Sequence, residues 1–285
     1  MTMPAVIMHV NYFETGYSLA ELFDKARLYG YDGVELRGFR KDTDTRTYIA
    51  EVQREWRRSG LHHVLMACPC DLNNPVRGYR EAEIEKCSDL LQQAAAIGVR
   101  LCNAMAGTLL GEGRKYGEFD RNGSGAATEE QWAWAVEGYQ QLGRVAEELG
   151  MKLAFETHNC YIHDLATPTA ELLRRIGSPA VGANLDMGNI VLNANGETVF
   201  QAIEVLGDHV FYLHLKNLYL PPGGGYIVCP LSDGVIDNRL LLRLLQARGF
   251  AGPICLEAPR GGDRDHFART DLDYIRGVLR DLGWV

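Results

Sequence analysis

Four residues able to share a metal ion stand at or near the ends of short apolar runs. Glu156 closes Lys152-Leu-Ala-Phe-Glu and Asp186 closes Val181-Gly-Ala-Asn-Leu-Asp; His214 lies in Phe211-Tyr-Leu-His-Leu-Lys, and Glu257 closes Pro253-Ile-Cys-Leu-Glu. An ionised carboxylate at the end of a buried strand is costly unless an opposite charge receives it. Three gathered at one point would repel and raise one another's pKa values. One divalent cation removes that penalty. Oxygen ligands with a single imidazole suit Mn²⁺ or Mg²⁺ best, with Co²⁺ or Zn²⁺ left open, rather than a thiolate-rich structural zinc site. Such an ion polarises the carbonyl and hydroxyl of a small polyhydroxy ketone and stabilises the enediolate formed when a base removes the C–H proton between them. Two glutamates on opposite sides of the substrate can remove and return that proton. Proton return on the opposite face gives an epimer, return to the neighbouring carbon gives an isomer, and loss of a β-hydroxyl gives dehydration.

For this chemistry the four residues must be brought together, and the rest of the pattern says how. Strands are expected near 5–9, 33–37, 62–67, 99–104, 152–157, 181–186, 210–215 and 253–257, each short and nearly continuously apolar, as in parallel sheets buried on both faces. Amphipathic segments alternate with them. Ser18 is placed to cap a helix from Leu19 to Tyr29, and helices over 81–97 and 128–149 end at Gly98 and Gly150. Further helices are expected over 167–176, 198–206 and 238–248. Eight such units in 285 residues, without a composition break, predict one domain over residues 1–285, a single parallel (β/α)₈ TIM barrel. An open doubly wound sheet is disfavoured, because Met8-His-Val-Asn-Tyr-Phe follows the first strand instead of a Gly-rich phosphate turn. In a barrel, strands five to eight end on one rim. Long connections over 106–127 and 217–237 leave the same rim and are expected to act as lids or substrate walls.

Other polar residues fall near the same rim. His158 and Lys216, two positions beyond Glu156 and His214, share the direction of the ligands. His9, Asn11, Glu35, Arg37 and Asn189 are candidates for substrate contact, as is His163, which stands beside Asp164 in the loop after the fifth strand. Arg260 is placed to meet a carboxylate or phosphate, or to pair with Asp263 or Asp265. The pair His62-His63 is expected to pack within its strand.

Composition narrows the class. With 46% apolar and 23% charged residues and no run of eighteen apolar residues, the chain reads as a globular protein without a membrane span. A net charge of −8 with no Lys/Arg stripe argues against a nucleic-acid partner. Seven scattered cysteines and the lack of a leader-like start fit a reducing cytoplasm.

The chain resembles the xylose-isomerase-like barrel superfamily, in particular its sugar isomerase/epimerase group, which includes ketose 3-epimerases and related dehydratases. The resemblance rests on Tyr31-Asp-Gly-Val-Glu-Leu-Arg, Phe155-Glu-Thr-His, Asn184-Leu-Asp-Met-Gly-Asn, Tyr212-Leu-His-Leu-Lys-Asn, Gly234-Val-Ile-Asp and Pro253-Ile-Cys-Leu-Glu. It implies that Glu156, Asp186, His214 and Glu257 hold the metal and that the two glutamates are the acid/base pair. Ketose 3-epimerases carry a second carboxylate, a His and an Arg where this chain has Ile162, Asn189 and Leu220, which weakens the case for a free ketohexose. The Glu-Thr-His and His-x-Lys combinations look like the dehydratase branch. The expected activity is thus a metal-dependent isomerase or epimerase on a small carbohydrate-like substrate, with a dehydratase or lyase on the same scaffold as the alternative. Barrels of this kind often form homo-oligomers, but no segment marks an interface.

Overall fold

A computed structural model of the chain describes residues 2–284. Eight parallel strands close in the order β1-β10-β7-β6-β5-β4-β3-β2. They are β1 (Val6–His9), β2 (Gly33–Leu36), β3 (His63–Pro69), β4 (Leu101–Met105), β5 (Lys152–Glu156), β6 (Val181–Asp186), β7 (Val210–Leu215) and β10 (Ile254–Leu256). Between β7 and β10, the long connection folds a hairpin of β8 (Leu218–Tyr219) and β9 (Ile227–Val228). Around the barrel run α1 (Leu19–Tyr29), α2 (Thr45–Ser59), α3 (Arg77–Ile97), α4 (Glu129–Leu149), α5 (Ala166–Ile176), α7 (Val199–Leu206), α8 (Asn238–Ala247) and α9 (Arg264–Asp281). The single turn α6 (Met187–Ile190) follows β6 at the rim.

The eight expected strands and the single barrel are present, and α1 has the expected bounds. Ser18 caps it, accepting from the Glu21 N–H while the Glu21 carboxylate receives the Ser18 N–H. Three helices lie outside those expected, α2, the single turn α6 and α9, and α3 starts at Arg77, four residues earlier than Glu81. Its N-cap position, Val76, offers no side-chain cap, so nothing in the local sequence marks that start. His62 and His63 do not pack as expected: both are exposed at the start of β3. The seven cysteines are buried free thiols, consistent with use as small apolar side chains. No helix among the described residues is long and apolar enough to cross a membrane.

The barrel interior is built in two layers by the two-residue period of its strands. Ile7, Leu65, Ala154, Tyr212 and Cys255 form an apolar plug. Two residues further along the same strands stand His9, Glu156, His214 and Glu257. A dry floor therefore lies beneath a polar mouth, and the main core fills the space between barrel and helices.

Candidate metal centre and active site

Glu156 and Asp186 are the last residues of β5 and β6, His214 is the penultimate residue of β7, and Glu257 follows β10 directly. The barrel register pairs Asp186 with His214, and the Glu257 N–H donates to the Leu215 carbonyl, so closure alone brings the four together. One donor atom from each lies within 4.8 Å of the others. Asp186, His214 and Glu156 are buried, and the Glu257 side chain is 13% exposed.

The groups inside this cluster show that it is suited to a cation. The Lys216 ammonium sits 2.9 Å from Asp186 Oδ2 and 3.2 Å from Glu257 Oε2. His214 Nδ1 lies 3.1 Å from Glu257 Oε2 and 3.7 Å from Glu156 Oε2. Two positive groups thus stand among the carboxylates that would face a metal. Burial drives the His214 pKa down, but Glu35 and Glu156 outweigh it and hold it well above the ordinary value. Burial likewise opposes the charge on Lys216, and Asp186 and Glu257 raise its pKa well above normal. Asp186 is pushed up to about 6, mainly by burial, with Lys216 acting against it. For Glu257 burial again pushes upward, and Lys216, His9 and His214 bring it well below the usual range. Three carboxylates and an imidazole of this burial fit a hard or borderline divalent ion.

Outer partners fix the ligands in place. His214 Nε2 lies 2.7 Å from Glu35 Oε2, which also accepts from the Tyr212 hydroxyl. That contact holds a proton on Nε2 and directs Nδ1 to the cluster. Asn103 Nδ2 donates to Glu156 Oε2 over 2.8 Å, and Asn103 Oδ1 accepts from the Asn184 amide. Asn189, on α6, donates to both Glu156 Oε1 and Asp186 Oδ2 at 3.1 Å. The Asn11 amide donates to Glu257 Oε1 over 2.7 Å. The Lys216 stem crosses Gly188, where an added Cβ would lie 2.0 Å from Lys216 Cγ; only glycine leaves the lysine room to reach Asp186.

Two cavities open at the mouth and share His158 and Glu257. One, of about 180 Å³, is lined by Asn189 and Lys216 below and by Tyr116, Phe119 and Tyr226 from the two long loops. The other, of about 190 Å³, is lined by His9, Glu35, Arg37, Phe39, Asn103 and Glu156. The long connections therefore form walls over the cluster of acids and histidine. His158 Nδ1 lies 3.0 Å from the Asn159 carbonyl, which makes it the protonated nitrogen and leaves Nε2 as an acceptor.

Several expected contacts fall elsewhere. Arg260 pairs with Asp271 rather than Asp263 or Asp265, at 2.9 Å, and donates to the Cys229 and Ala258 carbonyls; it lines neither mouth cavity. His163 is fully buried, with Nδ1 on the Glu156 carbonyl and Nε2 accepting the Ala106 N–H, and burial lowers its pKa to about 4. It braces the rim from behind instead of meeting substrate. Asp164 accepts the Ser124 N–H and ties the loop after β4 to the loop after β5. The residues the sequence reading did not single out are Asn103, Asn184 and Tyr212, whose roles depend on neighbours across the barrel.

Asp164 yields a stability prediction. Burial raises its pKa to about 6 from an ordinary 3.8. An acid raised on folding stabilises the protein below pH 3.8 and loses that contribution as pH rises through about 6. Asp164→Asn keeps an acceptor for Ser124 without a buried charge. It is expected to raise stability at pH 8 by up to about 3 kcal/mol, with the gain shrinking toward pH 4. Urea unfolding followed across that range checks the sign.

Eight parallel strands carry a cluster of acids and one histidine at their carboxyl ends, a parallel barrel with a candidate metal site. Residues 23–278 match the model of the xylose isomerase-like TIM barrel family, and the chain belongs to that family. An inosose dehydratase of Klebsiella pneumoniae (strain 342) is 27% identical over 229 residues, covering 70% of this chain and 72% of its own. A D-psicose 3-epimerase crystallised in the presence of D-fructose superposes with a TM-score of 0.77 at 15% identity, covering 96% of this chain and 99% of that one. A xylose isomerase-like barrel protein from Mycobacterium smegmatis, in complex with magnesium, superposes at 0.76 with 18% identity and 98% coverage of each chain.

Proposed function

We propose that the protein is a divalent-metal-dependent enzyme that removes a proton next to the carbonyl of a small polyhydroxy ketone, with dehydration as the outcome. The observation that carries this reading is the Lys216 ammonium held between Asp186 and Glu257, two of the four metal donors. Glu156, Asp186, His214 and Glu257 would hold the ion, Mn²⁺ or Mg²⁺ by their chemistry, and when bound it would polarise the carbonyl and offset charge developing on its oxygen. Glu156 or Glu257 takes the C–H proton, and His158 Nε2 is the alternative acceptor at the junction of the two cavities. Breaking that C–H bond and the β C–O bond forms the C=C bond. Lys216 gives its proton to the departing hydroxyl, which leaves as water. Mouth cavities of about 180 and 190 Å³ suit a single ring or a short open chain, not an oligosaccharide. The inosose dehydratase relative supports water loss.

Isomerisation or epimerisation is the second reading, favoured by the two glutamates that converge on one point and by the structural likeness to an epimerase. Product analysis in deuterium oxide separates the two. Incubating inososes, ketoses and dehydroshikimate-like acids with the Mn²⁺-loaded protein is expected to yield a product lighter by one water. A product of unchanged mass carrying one carbon-bound deuterium would instead establish the second reading. Lys216→Met is expected to slow water loss by about 10²-fold while C–H exchange into solvent persists.

A further inference from the structure

A third cavity, of about 220 Å³, lies beside the mouth between the loops after β1 and β2. It shares Leu36, Arg37 and Phe39 with the mouth cavity lined by Glu156, so Arg37 stands on the wall between them. Phe13, Leu22 and Tyr48 give it an apolar floor, and Arg37, Arg40 and Lys41 meet a single lining acid, Glu14. Lys41 makes no ion pair among the described residues, and Arg40 reaches only Glu51.

Glu14 already shows how an anion would sit here. Its carboxylate takes Arg37 Nε at 2.8 Å and Nη2 at 2.9 Å, a bidentate pair. The two side chains are 48% and 44% exposed, and exposed pairs of this kind are weak and exchangeable. Arg37 Nη2 also donates to Asn11 Oδ1 over 2.7 Å, and the Asn11 amide holds Glu257. The wall residue is thus hydrogen-bonded, through one side chain, to a proposed acid/base carboxylate.

We propose that this cavity is a subsite for an anionic group, carboxylate or phosphate, carried by the substrate beyond its reacting carbons, with Arg37 exchanging Glu14 for that group while Lys41 and Arg40 face it. This deepens the enolisation reading and rests on it, but its test does not need turnover. Inorganic phosphate titrated calorimetrically into the Mg²⁺-loaded full chain is expected to bind saturably. The Arg37→Gln/Lys41→Gln double variant is expected to weaken binding about 10- to 100-fold, as for lost charge-assisted hydrogen bonds. Glu14→Gln is expected to strengthen it several-fold, a direction that general loss of structure would not produce. Phosphate should also compete with a dehydroshikimate-like acid. Absent binding, or affinities unmoved by these variants, would overturn the subsite. Binding abolished by chelation would place phosphate on the ion and overturn it equally. Phosphate and acid bound together would mark a site for a free anion and overturn the assignment to substrate. None of these results bears on whether Glu156 and Glu257 enolise a neutral ketone, which deuterium exchange reads separately.

Discussion

Glu156→Gln and Glu257→Gln are each expected to cut turnover by about 10²–10⁴-fold, even with saturating metal, while the barrel stays folded. Both changes keep side-chain volume and remove the ability to accept a proton. Glu156 ends β5 above the apolar plug formed in part by Ala154, so its loss of charge leaves the packing beneath it untouched. Burial raises the Glu156 pKa, and His214 more than reverses this, so the group is ionised and ready to accept at neutral pH. Each oxygen receives an amide donor, Oε2 from Asn103 and Oε1 from Asn189. A glutamine must oppose one of those donors with its own NH₂, a local cost of about 1–3 kcal/mol that unfolding curves will show separately from kinetics. Near-normal turnover in either variant with the true substrate would remove that glutamate from the chemistry.

Stripping the divalent ion is expected to stop turnover, and graded loss of affinity should follow the path from ligand to outer partner. His214→Ala removes a donor outright. Glu35→Gln leaves every ligand in place but takes away the carboxylate 2.7 Å behind His214 Nε2. A partner of that kind orients the ring and raises its basicity, so affinity should fall about 10- to 100-fold. Titration of Mn²⁺ monitored by electron paramagnetic resonance measures this without any assay of activity. Unchanged affinity in Glu35→Gln would mean that the His214 ring is held by packing alone.

The sequence was most readable where one local rule decided the outcome. Apolar runs marked the eight strands, and the positions of Glu156, Asp186, His214 and Glu257 at or near the ends of four of them placed these residues on one rim. Partners supplied from far along the chain were less visible. At α5, the Glu197 carboxylate accepts the Ala166 and Thr167 N–H groups, thirty residues away, so no local cap fixed its first turn. In α9, Leu272, Ile275 and Leu279 are interspersed with Asp and Arg, and only packing against the barrel reveals their stripe. The same reason explains the site. Glu35, Asn103 and Asn11 serve His214, Glu156 and Glu257 across barrel contacts that exist only after closure. Arg260 was expected to meet an anionic ligand or to pair with Asp263 or Asp265, because Asp271, its partner on α9, lay in a helix not anticipated.

Crystals of the protein soaked in Mn²⁺ and measured at the manganese absorption edge would show whether the four residues hold a metal ion. One strong anomalous peak coordinated by Glu156, Asp186, His214 and Glu257 is expected, with the Lys216 ammonium moved off Asp186. No peak at that point, or manganese bound elsewhere while Lys216 stays between Asp186 and Glu257, would contradict this expectation.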